Sequence, residues 1–233
     1  MSSLSSSATF AQAGAYVWSD QFENGGAGEL ELESYSDFIT PGFDGANHYL
    51  NQTVEIEYGA TRDFSFGISQ TIGRGYRQDV LVIGQFGLEG LYRFESPDGL
   101  LINPVLSIEY SRMWHSSASN RIETKLILSK DLGRFSGILN GAFEYRFGDE
   151  SEVEPEFSAG ICYRFTEKFR GAAEIFSAGS DSYRVPNPDL RGTGAGPTLS
   201  FSVPGLTIAS GVSFGLTGGT DKLNFRTKVG IDL

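Results

Sequence analysis

The residues best equipped for chemistry fall into two sets. His115 and Ser117, with Asn120 close behind, have the His-x-Ser spacing that would put a base and a nucleophile on one face of a strand. Nucleophilic catalysis needs those groups held within hydrogen-bond reach. The run Trp114-His115-Ser116-Ser117-Ala118-Ser119-Asn120 reads as a polar loop, which does not hold them that way. The chain is therefore read as a non-enzyme. His48, beside Asn47, has no nucleophile partner and reads as a loop residue. The single Cys162 cannot form an internal disulfide, and no Cys/His cluster has ligand spacing, so neither a metal nor a cofactor is expected.

The second set consists of charges at alternate positions. Glu31, Glu33, Glu55, Glu57, Glu89 and Glu109 lie on the earlier segments; Arg146, Arg164, Arg170, Arg226 and Lys228 lie on the later ones. Arg93, Glu144 and Glu174 complete the set. Such charges either pair with one another and fix strand register, or set a transverse field along a passage.

The elements that must position them are strands. Leu223, Phe225, Thr227, Val229, Ile231 and Leu233 alternate with Asn224, Arg226, Lys228, Gly230 and Asp232, giving one apolar and one polar wall. The same alternation recurs in Val54, Ile56 and Tyr58 against Glu55 and Glu57, and in Phe143, Tyr145 and Phe147 against Glu144 and Arg146. A strand of about 11 residues, rising ~3.3 Å each and tilted by ~40°, covers roughly 28 Å, close to the hydrocarbon thickness of a bilayer.

Short turns at 60–63, 96–99, 131–134, 166–168 and 203–205 alternate strictly with longer polar connections at 39–47, 73–79, 113–120, 148–154, 179–188 and 217–220. Loops sorted by side in this way, with about twelve strands, predict an all-β fold: a transmembrane antiparallel up-and-down β-barrel with short periplasmic turns and longer outer loops. Aromatic residues crowd the strand ends beside the short turns (Tyr58, Phe64, Tyr92, Phe94, Phe135, Tyr163, Phe165, Phe169), as an interfacial girdle would. The apolar faces then point to lipid and the charged faces line a lumen, narrow at this strand number. On closure the last strand meets the first, and Arg226 and Lys228 are expected to approach Glu31 and Glu33.

The chain has 233 residues and a formal net charge of −11, which excludes a basic nucleic-acid surface. Residues 29–233 are read as the barrel. Residues 1–28 are read as an export-signal remnant, with Ala11-Gln12-Ala13 as a small-x-small site, or as a flexible segment, or as a partial plug bearing Tyr16, Trp18 and Phe22. No distinct interface patch stands out on the apolar faces, so the oligomeric state is left open.

Several local phrases resemble the outer-membrane family of MetA-pathway phenol-degradation transporters. They are Val54-Glu55-Ile56-Glu57-Tyr58-Gly59-Ala60-Thr61-Arg62-Asp63-Phe64-Ser65-Phe66-Gly67, then Phe143-Glu144-Tyr145-Arg146-Phe147, Ile161-Cys162-Tyr163-Arg164-Phe165 and Val212-Ser213-Phe214-Gly215-Leu216-Thr217. The closing Ile231-Asp232-Leu233 departs from that family's terminal Tyr-Arg-Phe, a cue for the barrel-assembly machinery. The resemblance implies a bacterial outer-membrane barrel that passes small solutes, aromatic or hydrophobic compounds among them. Its partners would be outer-membrane lipid, the assembly machinery and the solutes. The alternative is a non-conducting structural barrel with a salt-bridged lumen. A minor alternative is a hydrolase, since His115, Ser117 and Asn120 faintly resemble the triad of outer-membrane phospholipase A.

Overall fold

The computed structural model describes residues 14–23, 26–40, 48–74, 81–94, 102–113, 120–147, 151–178, 192–218 and 220–233. Twelve strands follow one another: β1 (Leu30–Thr40), β2 (Tyr49–Gly59), β3 (Phe64–Arg74), β4 (Leu81–Arg93), β5 (Asn103–Met113), β6 (Arg121–Leu132), β7 (Phe135–Arg146), β8 (Glu152–Arg164), β9 (Phe169–Ala178), β10 (Gly192–Val203), β11 (Leu206–Gly215) and β12 (Leu223–Asp232). Each pairs with its chain neighbours, and β12 pairs antiparallel with β1, so the sheet closes into a barrel without edges.

Local chemistry explains the tight returns. Gly133 and Gly205 take φ of 67° and 77° between β6 and β7 and between β10 and β11, a conformation that two-residue hairpins require and side chains resist. The Thr61 hydroxyl accepts from the N–H groups of Asp63 (3.2 Å) and Phe64 (3.0 Å), and Thr166 does the same for Lys168 and Phe169. The turn at 96–99 lies outside the described residues, as do Ala11-Gln12-Ala13, His115 and Ser117.

The alternation sorts side chains by face. Val54, Ile56, Ile68, Leu139, Phe143 and Ile161 are exposed on the outside, while Ser65, Ser107, Ser111, Glu144 and Thr198 are buried within. An apolar exterior around a polar interior is the reverse of a water-soluble barrel and suits hydrocarbon. Ring pairs gird the short-turn rim: Tyr58–Phe66 (5.4 Å between centroids), Tyr92–Phe94 (5.2 Å), Phe135–Tyr163 (4.9 Å) and Phe169–Phe201 (5.0 Å).

Two places depart from simple polarity sorting. On β1, Tyr35 and Ile39 share the inward face with Glu33 and Asp37, whereas Ser34 and Ser36 share the outward face with Phe38. In the short-turn half of the lumen, Leu91, Val105, Ile127, Ile138, Cys162 and Ala172 form an apolar cluster that is closed off by Ala15 and Tyr16 of the N-terminal segment, with Phe22 packed against it.

Candidate lumen site

The cluster just described would be an apolar patch on the wall of a wet lumen if nothing covered it. Residues 14–23 cover it. The Tyr16 hydroxyl donates to the Ser136 carbonyl (3.1 Å) at the start of β7. Burial, opposed by the Ser136 hydrogen bond, pushes the Tyr16 phenol up to about 12. Glu174 on β9 takes both backbone N–H groups at the bend, Val17 and Trp18, each at 3.0 Å, and the Thr198 hydroxyl donates to the same carboxylate at 2.7 Å. The Trp18 ring stacks on Phe176 with centroids 5.4 Å apart and planes 9° from parallel.

The segment then crosses to the other walls. Asp20 pairs with Lys125 of β6, while its carbonyl accepts from Asn140 Nδ2 of β7 (3.0 Å). Desolvation raises the Asp20 carboxyl, and Lys125, Lys228 and Arg226 together outweigh it, so the group sits below its usual 3.8. Arg226 of β12 donates to the Val17 carbonyl (3.1 Å), and Lys228 pairs with Glu23 (3.0 Å). The Arg93 guanidinium lies 5.0 Å from the Phe22 ring centroid at the short-turn mouth.

The barrel wall leaves room for this path. A Cβ at Gly160 of β8 would come within 2.6 Å of the Tyr16 ring, and one at Gly211 of β11 within 2.5 Å of the Trp18 ring. Both positions must stay bare for the two rings to sit where they do.

The segment divides the interior. On the long-loop side a cavity of about 170 Å³ is lined by Trp18, Asp20, Lys125, Asn140, Phe176, Asn224 and Arg226. On the short-turn side a cavity of about 320 Å³ is lined by Ala15, Gln21, Asp131, Cys162, Arg164 and Arg170. Trp18 Nε1, Asn140 Oδ1 and Asn224 Oδ1, on residues that line the outer cavity, are buried with no hydrogen-bond partner among the described residues.

The residues singled out from the sequence are distributed as follows. Lys228 lies 2.7 Å from Glu33, as expected at the seam. Arg226 does not approach Glu31 or Glu33: it pairs with Asp37 (2.6 Å), because the register sets Asp37 opposite Arg226 and Glu31 opposite Asp232. Glu31 instead joins Glu23 and Glu33, with carboxylate oxygens within 4.8 Å of one another beneath the Lys228 ammonium. A second trio, Glu123, Glu144 and Glu156, is likewise met by protein cations, Lys125 on Glu123 (2.7 Å) and Arg121 on Glu144 (3.0 Å).

Glu55, Glu57, Glu89 and Glu109 occupy the inward positions of β2, β4 and β5. No ion pair within 4 Å among the described residues involves them; Glu89 accepts from the Ser107 hydroxyl instead. Arg146 bridges Glu144 (2.6 Å) and Glu154, while Glu174 grips the N-terminal segment. Arg93 binds Asp63 (2.8 Å) and Arg164 donates to the Gly133 carbonyl (3.2 Å), so both sit at the short-turn mouth rather than mid-lumen, as Arg170 does. Sequence reasoning passed over Asp37, Arg121 and Lys125. Their inward-facing positions in the alternation were the available signal.

Of the catalytic trio, Asn120 alone is described, and its carbonyl accepts from Phe147 N–H (2.8 Å). His48 contacts the Thr40 hydroxyl at 3.1 Å and stacks on Phe38 at the end of β1.

No family model and no curated protein sequence matches the chain. Solved structures do. The COG4313 outer membrane channel from Pseudomonas putida F1 superposes with a TM-score of 0.65 at 10% identity, over 93% of this chain and 98% of that one. The NanC porin gives 0.59 at 13% identity, over 88% of this chain and 100% of that one. The KdgM porin in complex with disordered oligogalacturonate gives 0.59 at 12%, over 87% and 99%. The fold is therefore that of outer-membrane channel barrels, and identities this low speak to the fold alone.

Proposed function

We propose that the chain is a bacterial outer-membrane channel for small solutes whose lumen is occupied by its own N-terminal segment. The observation that carries the reading is the division of the interior into two cavities by residues 14–23. A stack, two ion pairs and hydrogen bonds to Ser136, Asn140, Glu174 and Arg226 hold the segment beside the apolar seat of Ala15 and Tyr16. The polar contacts can be exchanged for water or solute. Passage then requires displacement of the segment, and the unpaired Glu55, Glu57, Glu89 and Glu109 bias whatever opens toward cations.

The flat Trp18–Phe176 stack beside polar residues with unmet hydrogen bonds supports solutes that combine a ring or other planar apolar face with polar substituents. Aromatic compounds of the kind implied by the MetA-pathway resemblance fit that description. The test is swelling of proteoliposomes in isotonic solutions of graded solutes. Faster swelling with small phenolic acids than with aliphatic acids of equal size supports the reading, and equal rates for both would remove the aromatic preference.

The second reading is a non-conducting barrel. It is favoured by the charge pairing along the lumen wall, Lys228–Glu33 and Arg226–Asp37 at the seam and Arg146–Glu144 on β7. Absence of swelling with every solute, from protein shown to be inserted, would select it.

A further inference from the structure

The outer wall is not uniformly apolar. Ser210 of β11, Thr227 of β12, Ser36 of β1 and Gln52 of β2 are consecutive partners across four strands and all face outward. One step away, Ser34 and Gln70 of β3 extend the patch. This row lies inside the apolar belt. Phe38, Leu50 and Phe225 are exposed on its long-loop side, and Val54 and Ile56 on its short-turn side. Over the opposite half of the barrel, from β5 to β10, the same belt presents Ile108, Leu126, Leu139, Phe157, Ile175 and Leu199.

Hydrocarbon offers no hydrogen bonds, so the patch binds itself where it can. Gln52 Oε1 accepts from the Ser36 hydroxyl (2.5 Å) and Gln52 Nε2 donates to Ser34 Oγ (2.7 Å). Ser210 and Thr227 share one hydrogen bond (3.1 Å), and Gln70 Nε2 donates to the Gln85 and Thr71 carbonyls. The accounting does not close. Among the described residues the Ser34 hydroxyl proton has no acceptor, one hydroxyl proton of the Ser210–Thr227 pair has none, and Gln70 Oε1 receives no donor.

We propose that this patch is the contact face of a dimer of two copies of this chain, packed side by side in the membrane. The patch carries unmet donors and an unmet acceptor together and no charge, so it is complementary to itself. A bilayer holds both copies at the same depth and in the same orientation. Because strands tilted by ~40° slope each row through the belt, the two rows cross where the copies meet. A two-fold axis along the membrane normal beside β1 sets Ser36 against Ser36 at the crossing, with Gln52 and Thr227 flanking it in each copy. Polar side chains between packed membrane segments then bond across the contact rather than face lipid. The inference rests on the barrel's spanning a bilayer.

The test uses the full chain in vesicles, with Cys162→Ala as background so that the one native thiol is absent. Ser36→Cys is compared with Leu139→Cys on β7, directly across the barrel. Oxidation is expected to give a disulfide-linked dimer from Ser36→Cys at least tenfold more abundant than from Leu139→Cys, and Gln52→Leu with Gln70→Leu is expected to abolish it. Equal yields from the two cysteines, or no dimer from protein that resists alkaline extraction, overturns the proposal. A Ser36→Cys adduct with a different protein also overturns it, by giving the face another occupant. Loss of the protein from vesicles on alkaline washing would instead bring down the membrane reading on which it rests.

Discussion

Glu23 of the N-terminal segment lies 3.0 Å from Lys228 of the closing strand. Its neighbours include Glu31, Glu33 and Glu57 as well as that ammonium. Burial, reinforced by Glu33 and opposed by Lys228, pushes the Glu23 carboxyl up to about 7 from the usual 4.5. A carboxyl raised on seating binds more protons seated than released. Its contribution to seating is therefore full below pH 4.5 and is lost as pH rises through about 7.

Acidification should accordingly tighten the segment in the lumen, by at most roughly tenfold in the seated-to-released ratio per pH unit inside that window. Acrylamide quenching of Trp18, read in a Trp114→Phe background, should fall as pH is lowered from 8 to 5. Glu23→Gln should flatten the dependence. Quenching that rises on acidification would reverse the assigned sign.

The Trp18–Phe176 stack makes a spectroscopic prediction of its own. Trp18 emission should be blue-shifted relative to free tryptophan, and Phe176→Ala should shift it red by several nanometres while strand content by circular dichroism is unchanged. A fully exposed Trp18 spectrum in the Trp114→Phe background would place the ring outside the lumen.

Arg121 ties four strands together. It reaches Ser111 of β5 (2.6 Å), Gln85 of β4 (2.8 Å) and Glu144 of β7 (3.0 Å) from its place on β6. Arg121→Met leaves Glu144 its bond to Arg146, so the loss should be about 1–3 kcal/mol, below the ~3–5 expected when a buried carboxylate loses its sole partner. Urea unfolding in detergent measures it. Arg121→Lys should recover little, because one ammonium cannot serve three acceptors in a fixed fork.

At the short-turn rim, Asp63 accepts from Arg93 at 2.9 and 2.8 Å. That hydrogen bonding holds the Asp63 carboxyl below its usual 3.8, so its contribution to the turn is present above that value and fades as pH falls. A carbon-detected NMR titration should place its midpoint below 3.8, and Arg93→Gln should move the midpoint upward.

Strand bounds and the sidedness of loops were legible because both are local: a period of two and the chemistry of turns. Register was not. Lys228 could be matched to Glu33 from the sequence, yet Arg226 faces Asp37 because the pairing of β1 with β12 is offset by more residues than charge matching suggests. Polarity also misleads on β1, where Ser34 and Ser36 point to the exterior and Tyr35 and Ile39 to the lumen. The apolar lining formed by Leu91, Val105, Ile127 and Ile138 breaks the rule that inward residues are polar, and its partner is Tyr16, more than seventy positions away in sequence. The patch is not legible without the closed barrel, whereas a partial plug bearing Tyr16, Trp18 and Phe22 stands among the sequence alternatives for residues 1–28.

Single-channel recording in planar bilayers, comparing the unaltered protein with Gly160→Val/Gly211→Val, tests the central claim most directly. Valine suits both strands, and its added carbons occupy the places of the Tyr16 and Trp18 rings. The account predicts brief, small conductance steps from the unaltered protein and long, larger, cation-preferring ones from the variant. Identical steps from both would contradict occupation of the lumen by residues 14–23, and silence from both, with insertion demonstrated, would contradict the channel itself.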